Sequence, residues 1–230
     1  QIANLNSLLE TIDGNQGVFS GDNYKLIKGE ALGLRAYLHF DLLRLFAEAY
    51  STGKDKEAIP YVAELTPLVT PMSTQDEAIT MILADLDSAR TLLANDPMRL
   101  GITPDACLAP LPSGSYVSSD KIDTWYNRRF RFNYYAVVGT MARVYLWKGD
   151  RPNALIAARE VIADQEAKFP WVLGKNLTNI GNTSNAYYRN QDRSFATEHI
   201  FALNVTDLED LMDSYIFNGE IGLGGMSQNG

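Results

Sequence analysis

Apolar residues recur every three or four positions between Tyr24 and Tyr50, at Ile27, Ala31, Leu34, Leu38, Leu42, Leu45 and Ala49, which is the spacing of one face of an α-helix. Tyr37, Phe40, Leu43 and Phe46 widen the stripe until only Arg35, His39, Asp41, Arg44 and Glu48 interrupt it, so the pattern predicts a helix buried on more than one side. Ser51 to Lys56 reads as a turn, and Pro60, Pro67 and Pro71 keep the next connection extended. Thr74-Gln75-Asp76-Glu77 matches a capping box. Behind it Ala78, Ile79, Ile82, Leu83, Leu86, Ala89 and Leu93 keep the helical period until Asp96-Pro97 ends it.

A third helix is predicted from Phe130 to Trp147, with Phe132, Tyr135, Val138, Met141, Ala142, Tyr145 and Leu146 inside. Lys148-Gly149-Asp150 turns the chain, and a fourth helix follows from Arg151 to Asp164, with Pro152 tolerated in its first turn. Its expected inward residues are Ala154, Leu155, Ala158, Val161 and Ile162. The expected fold is therefore all-α, one helical-repeat domain over 1–230 with antiparallel helix pairs at about 24–95 and 130–165 and little strand. Residues 195–204 read as a short strand or an extended packing arm, Asp207 as the cap of a last helix running through Phe217, and 219–230 as a loose tail.

Residues 98–129 interrupt this pattern as a long loop rich in Pro, Ser and Gly, a type of segment that is often functional. It holds Tyr116, Trp125 and Tyr126 beside Asp120, Asp123, Asn127 and Arg128. Sugar rings stack their C–H faces on aromatic planes while their hydroxyls seek polar partners. The ligand-binding candidates are accordingly Trp125 as platform, with Tyr126, Tyr116 and Asn127 around it. The competing reading is that Trp125 buries its indole and anchors the loop to the helices.

Composition narrows the field. The formal net charge of −8 argues against nucleic acid, whose binding relies on Lys and Arg displacing counterions. Cys107 is the only cysteine, so the chain has no internal disulfide, thiolate zinc cluster or CxxC pair. His39 and His199 lie in no paired-ligand spacing, and no metal or cofactor is expected. Asp85, Asp87, Glu30, Glu48 and Glu160 are the carboxylates available for glycoside hydrolysis, and each is expected on the solvent side of its helix. No run approaches the roughly 20 apolar residues that span a bilayer.

The most specific motif is Tyr145-Leu146-Trp147-Lys148-Gly149-Asp150-Arg151-Pro152-Asn153-Ala154-Leu155. With Ala142 before it, an aromatic in the first helix, a Gly at the turn and a small Ala early in the second match the tetratricopeptide pattern. Gly149 and Ala154 should then mark the tight turn and the close helix contact. Four further segments carry a family resemblance: Lys28 to Phe46, Ala58 to Val62, Arg131 to Ala136 running into Ala142 to Leu146, and Glu198 to Leu203. Through them the chain resembles the SusD/RagB-like outer-membrane nutrient-binding lipoproteins.

That resemblance implies tetratricopeptide-like helix pairs bearing a loop-rich ligand face and set as a lid over a SusC-type TonB-dependent outer-membrane transporter. It implies capture of an oligosaccharide or polysaccharide without chemistry, at the cell surface, on a lipid anchor. The short length and the lack of a lipid-bearing cysteine near the start lead us to expect a portion of a longer protein. Two other functions stay open. A tetratricopeptide-type adaptor would grip a peptide along the inner helical faces; a hydrolase would need two converging carboxylates in a cleft.

Overall fold

The computed structural model describes residues 1–100, 128–171 and 198–202. Among these, helix accounts for 71% and strand for 5%, so the all-α expectation holds. Helix α1 (Ile2–Ile12) leads through a 3-10 turn into the long α2 (Asn23–Phe46) and the single-turn α3 (Tyr50–Gly53). Strands β1 (Glu57–Pro60) and β2 (Met72–Thr74) pair antiparallel and hold the ends of the proline-rich connection together. Helices α4 (Gln75–Leu92), α5 (Pro97–Leu100), α6 (Tyr134–Lys148), α7 (Arg151–Ala163) and α8 (Gln165–Lys168) follow.

Local sequence sets the boundaries. The Thr74 hydroxyl accepts from the Glu77 amide while the Glu77 carboxylate accepts from the Thr74 amide, a reciprocal cap that satisfies two donors the helix leaves orphaned. Asn133 caps α6 through the Ala136 amide, and Asp150 caps α7 through the Asn153 amide. Gly149 ends α6 at φ +81°, a left-handed backbone that costs a side chain but not glycine.

The pairings are antiparallel. Gly29, near the start of α2, lies against Leu92 and Leu93 at the end of α4. At the other end Glu48 and Tyr50 meet Gln75 and Asp76. Likewise Arg90 of α4 reaches Tyr134 of α6, and Trp147 reaches back to Gln75. The α6–α7 hairpin closes through Tyr134 to Glu160 and Tyr135 to Asp164. Between the layers lies one continuous core, including Phe40, Leu43, Ile79, Ile82, Leu86, Tyr135, Val137 and Val144.

The start of the β1–β2 connection is fastened to α2 by polar groups. Arg35 holds Asp85 through two bonds of 2.7 and 2.8 Å and also donates to Asn6 Oδ1 and the Ala63 carbonyl. Tyr61 donates to Asp85 and stacks on the His39 ring at 4.1 Å. Asn6 of α1 donates to the Val62 carbonyl.

Several expectations require correction. Helix α1 was not foreseen. The helix expected to reach Tyr50 stops at Phe46, and part of the expected turn after it is α3. Leu146, Leu155 and Ile162, expected inside, are 64%, 50% and 67% exposed, because no described element covers that side of α6 and α7. Ala154 is buried as expected.

Two glycines in helices should respond in opposite directions to alanine. A Cβ on Gly33 would sit 2.6 Å from Phe132 Cδ1 and 3.1 Å from Val137 Cγ2, so Gly33→Ala should cost about 1–3 kcal/mol through overpacking. A Cβ on Gly139 meets nothing within 4 Å, so Gly139→Ala should add about 0.5–1 kcal/mol by restricting the unfolded chain. Urea unfolding of the two variants checks both signs.

Candidate functional site

Trp125, Tyr126, Tyr116 and Asn127 lie outside the described residues, as does Cys107. What the structure does place is the two flanks of the stretch that carries them. Asp96, fully buried, follows α4. Its carboxylate accepts from the Met98 amide at 2.8 Å, from the Tyr134 amide at 3.0 Å, and from the Arg128 guanidinium at 3.2 and 2.5 Å. Glu30 of α2 takes a further bond from Arg128. The chain therefore leaves the helices at α5 and re-enters at Arg128 through a single buried ion cluster.

Arg128 was counted among the polar neighbours of the aromatic platform. The structure corrects this: its side chain is 0% exposed and its donors are committed to two carboxylates. Burial would lower its pKa, and the charges of Asp96 and Glu30 outweigh that and raise it. Burial also pushes the Glu30 carboxyl up against the pull of Arg128. The clue in the sequence was Arg128 standing beside an aromatic run, Phe130-Arg131-Phe132, which places a charge at the edge of a core.

The second long undescribed stretch starts and ends beside the same helix end. Before it, Phe169 packs its ring 5.2 Å from Tyr135. After it, the Ile200 carbonyl accepts from Asn133, and Phe201 lies 5.2 Å from Phe132 and 6.3 Å from Tyr37. Residues 198–202 contain no strand, and Ile200 and Phe201 pack against the core. Arg99 of α5 covers the Tyr134 ring at 4.8 Å. The first turn of α6 thus gathers the flanks of both excursions around a bed of aromatic rings.

His39 is neither surface nor metal-binding. It is fully buried, its Nδ1 lies 2.8 Å from the Arg35 carbonyl, and its Nε2 accepts from the Val62 amide at 3.0 Å. That pattern fixes the neutral tautomer with the proton on Nδ1. No group of three or more His, Cys, Asp or Glu able to hold a metal occurs among the described residues. The carboxylates also differ from expectation. Glu30, Asp85 and Glu160 turn inward, each onto an arginine, Arg128, Arg35 and Arg90 respectively. Asp87 and Glu48 are exposed as expected. Each of the three inward carboxylates is thus engaged by an arginine.

The described residues thus form a stack of antiparallel helices with the flanks of two excursions gathered at one end. A family model described as SusD-like, "starch-binding associating with outer membrane", matches residues 1–111. Solved structures agree in fold. A SusD superfamily protein from Bacteroides thetaiotaomicron VPI-5482 superposes with TM-score 0.61 at 20% identity, covering 91% of this chain and 38% of that one. Another from Bacteroides fragilis gives 0.60 at 21% identity, with 90% and 39% covered. A "SusD-like carbohydrate binding protein" from Bacteroides vulgatus ATCC 8482 gives 0.52 at 19%, with 72% and 29% covered. The chain is thus similar to SusD-like proteins, in sequence over residues 1–111 and in overall fold. It spans well under half the length of each of these solved relatives. No curated protein matches it. No described helix is long and apolar enough to cross a membrane.

Two measurements test the site's electrostatics. Asp96→Ala should cost about 3–5 kcal/mol, because it leaves the buried Arg128 with Glu30 alone and strands two buried amides; a calorimetric Tm within a degree of the parent would refute that arrangement. Burial pulls the His39 imidazole below its usual value, against the opposing bond to the Arg35 carbonyl. Between that depressed value and about 6.5 the unfolded chain binds a proton that the folded chain refuses, so stability falls as pH drops below about 6.5, by at most about 1.4 kcal/mol per pH unit. Urea midpoints from pH 7.5 to 5 should show this slope in the parent and lose it in His39→Gln.

Proposed function

We propose that this chain is the helical platform of a non-enzymatic, glycan-capturing surface lipoprotein that works with a SusC-type TonB-dependent outer-membrane transporter. The observation that carries the reading is the meeting of both excursions' flanks at the first turn of α6, with Asp96, Arg128 and Asn133 tying them together. A ligand face built there combines a rigid base with loops free to vary in sequence, the arrangement that places binding residues accurately. Trp125, Tyr126, Tyr116 and Asn127 stand within a dozen residues of the Arg128 anchor and supply the stacking and hydrogen bonding a sugar needs. The family's description as starch-binding and the carbohydrate-binding name of one solved relative favour the same ligand class.

The commitment of Glu30, Asp85 and Glu160 to arginines supports binding without hydrolysis. The filling of the α2 and α6 faces by Tyr37, Phe40, Phe132 and Tyr135 favours the loop face over a peptide adaptor that would use those faces.

Calorimetry of the full chain against soluble starch, maltooligosaccharides and a panel of other polysaccharides should reveal a binder, with no soluble product released on prolonged incubation. Trp125→Ala should weaken that binding by about tenfold or more, equivalent to about 1.4 kcal/mol of lost contact, while leaving Tm close to the parent. Destabilisation by several kcal/mol would instead mark Trp125 as a buried anchor.

A further inference from the structure

His39 of α2 has no room for a second proton. Its Nδ1 lies 2.8 Å from the Arg35 carbonyl and its Nε2 3.0 Å from the Val62 amide nitrogen, so one ring nitrogen must donate while the other accepts. Only the neutral ring meets both demands. A proton arriving at Nε2 would point at the Val62 N–H, donor against donor, at a residue that is fully buried. The charges that bear on the ring are Arg35, one turn earlier in α2, and Asp85 of α4. Asp85 is not a spare counterion, because its carboxylate already accepts two bonds from the Arg35 guanidinium and one from the Tyr61 hydroxyl. Tyr61, the titratable group of the connection, stacks its ring on the imidazole at 4.1 Å. Asn6, which α1 adds to the same cluster, is neutral. A protonated His39 would therefore be a buried cation beside a second cation, without a partner of its own.

The bond at stake holds one particular segment. Residues 61–64 run from the end of β1 over the helices and are tied down by side chains: His39 to the Val62 amide, Arg35 to the Ala63 carbonyl, Asn6 to the Val62 and Glu64 carbonyls, and Asp85 to the Tyr61 hydroxyl. From Ala63 to Val69 the chain is exposed, and the β1–β2 pairing fixes the two ends of the connection independently of His39. The segment can thus lift without parting the helix layers beneath it. We propose that His39 is a proton-operated latch: protonation breaks its bond to Val62 and releases residues 62–64 from α2, while the helices and the β1–β2 pair stay folded. The sign follows from linkage. With the segment lifted, the ring meets water and binds a proton at its ordinary value of about 6.5, whereas the closed form refuses that proton until lower pH. Above about pH 7 the latch is shut and insensitive to pH. Below about 6.5 the open form gains by up to about tenfold per pH unit, until the closed form also takes up the proton.

Native-state amide exchange on the full chain tests this, at pH 7.5, 6.5 and 5.5 and corrected for the intrinsic pH dependence of exchange. Protection of the Val62 amide should fall about three- to fivefold between pH 6.5 and 5.5, and less than about twofold between 7.5 and 6.5. The amides of Ile82 and Leu86, in the buried middle of α4, should stay at least about tenfold better protected than Val62 throughout, because a local opening leaves the core shut. His39→Gln, which can still donate to one carbonyl and accept from one amide, should remove the fall at Val62. His199→Gln, at the only other histidine, should leave it in place. Val62 protection that does not change with pH would overturn the proposal. So would equal protection of Val62 and Ile82 at every pH, which would mean that the segment opens only with the whole chain. Both of these readings come from the unaltered protein and stand even if His39→Gln fails to fold. In a folded His39→Gln, persistence of the fall would give the titration to another group and refute the latch.

Discussion

One buried carboxylate, Asp96, determines where this chain rejoins its helices after the stretch from residue 101 to 127. It receives an amide from α5, an amide from the first turn of α6 and the guanidinium of Arg128. Taking both charges out of water costs several kcal/mol, and the attraction between them returns little more than that. The gain is therefore positional. An excursion of this length could re-enter at many places for nearly the same closure entropy, since that entropy grows only logarithmically with loop length. A buried Asp96 without Arg128 would be an uncompensated charge, so only one point of return is tolerated. Glu30 adds α2 to the same cluster, and the end of the first helix pair and the start of the second are fixed together.

A second polar node stands at the opposite end of the stack. Gln75, 1% exposed, donates to the Glu48 carbonyl after α2 and accepts from the Trp147 indole at the end of α6. Between the two nodes lie Arg35 and His39, which hold the proline-rich connection at Ala63 and Val62. Apolar packing supplies the stability of such a core, but it is non-directional and would accept small slides of one helix along another. Polar groups that must find particular partners remove that freedom. Glycines at 29 and 33 let Leu93 and Phe132 approach the α2 backbone, which gives the nodes the short distances they need.

Much of this was legible in the sequence, and for identifiable reasons. The Thr74–Glu77 box, the Gly149 turn and the long stripe of α2 are local devices, each written within a few residues. The SusD-like resemblance rested on such segments, and the match over residues 1–111 agrees with it. What could not be read was nonlocal. Arg128 looked like a solvent-facing neighbour of Asn127 because its partners, Asp96 and Glu30, lie 32 and 98 positions away. Asp85 and Glu30 were assigned outward by the rule that helix carboxylates face water, which fails when an arginine from another helix meets them. Helix α1 was overlooked although Leu5, Leu8, Leu9 and Ile12 keep a helical spacing. The candidate binding residues themselves fall outside the described residues, so their placement rests on the anchor beside them.

The exposed leucines of the hairpin teach a different point. Periodicity assigned Leu146, Leu155 and Ile162 to a core, and the structure leaves them open, yet the period was not misread. A helical stripe records that a face is to be covered and says nothing about by what. On α2 and α4 the covering elements are each other, α1 and α6, all within the described residues. On α6 and α7 the inner face is covered in the same way while the outer face is not, and the rim of that face carries arginines where a core would carry apolar residues. A repeat scaffold meets this situation at each terminal layer, because every unit buries one side against its predecessor and presents the other to whatever follows. The gathered flanks at the start of α6 and the open groove along its outer side are consequences of one arrangement: the helices are held in register at their ends by polar nodes, which leaves a lateral face uncovered among the described residues.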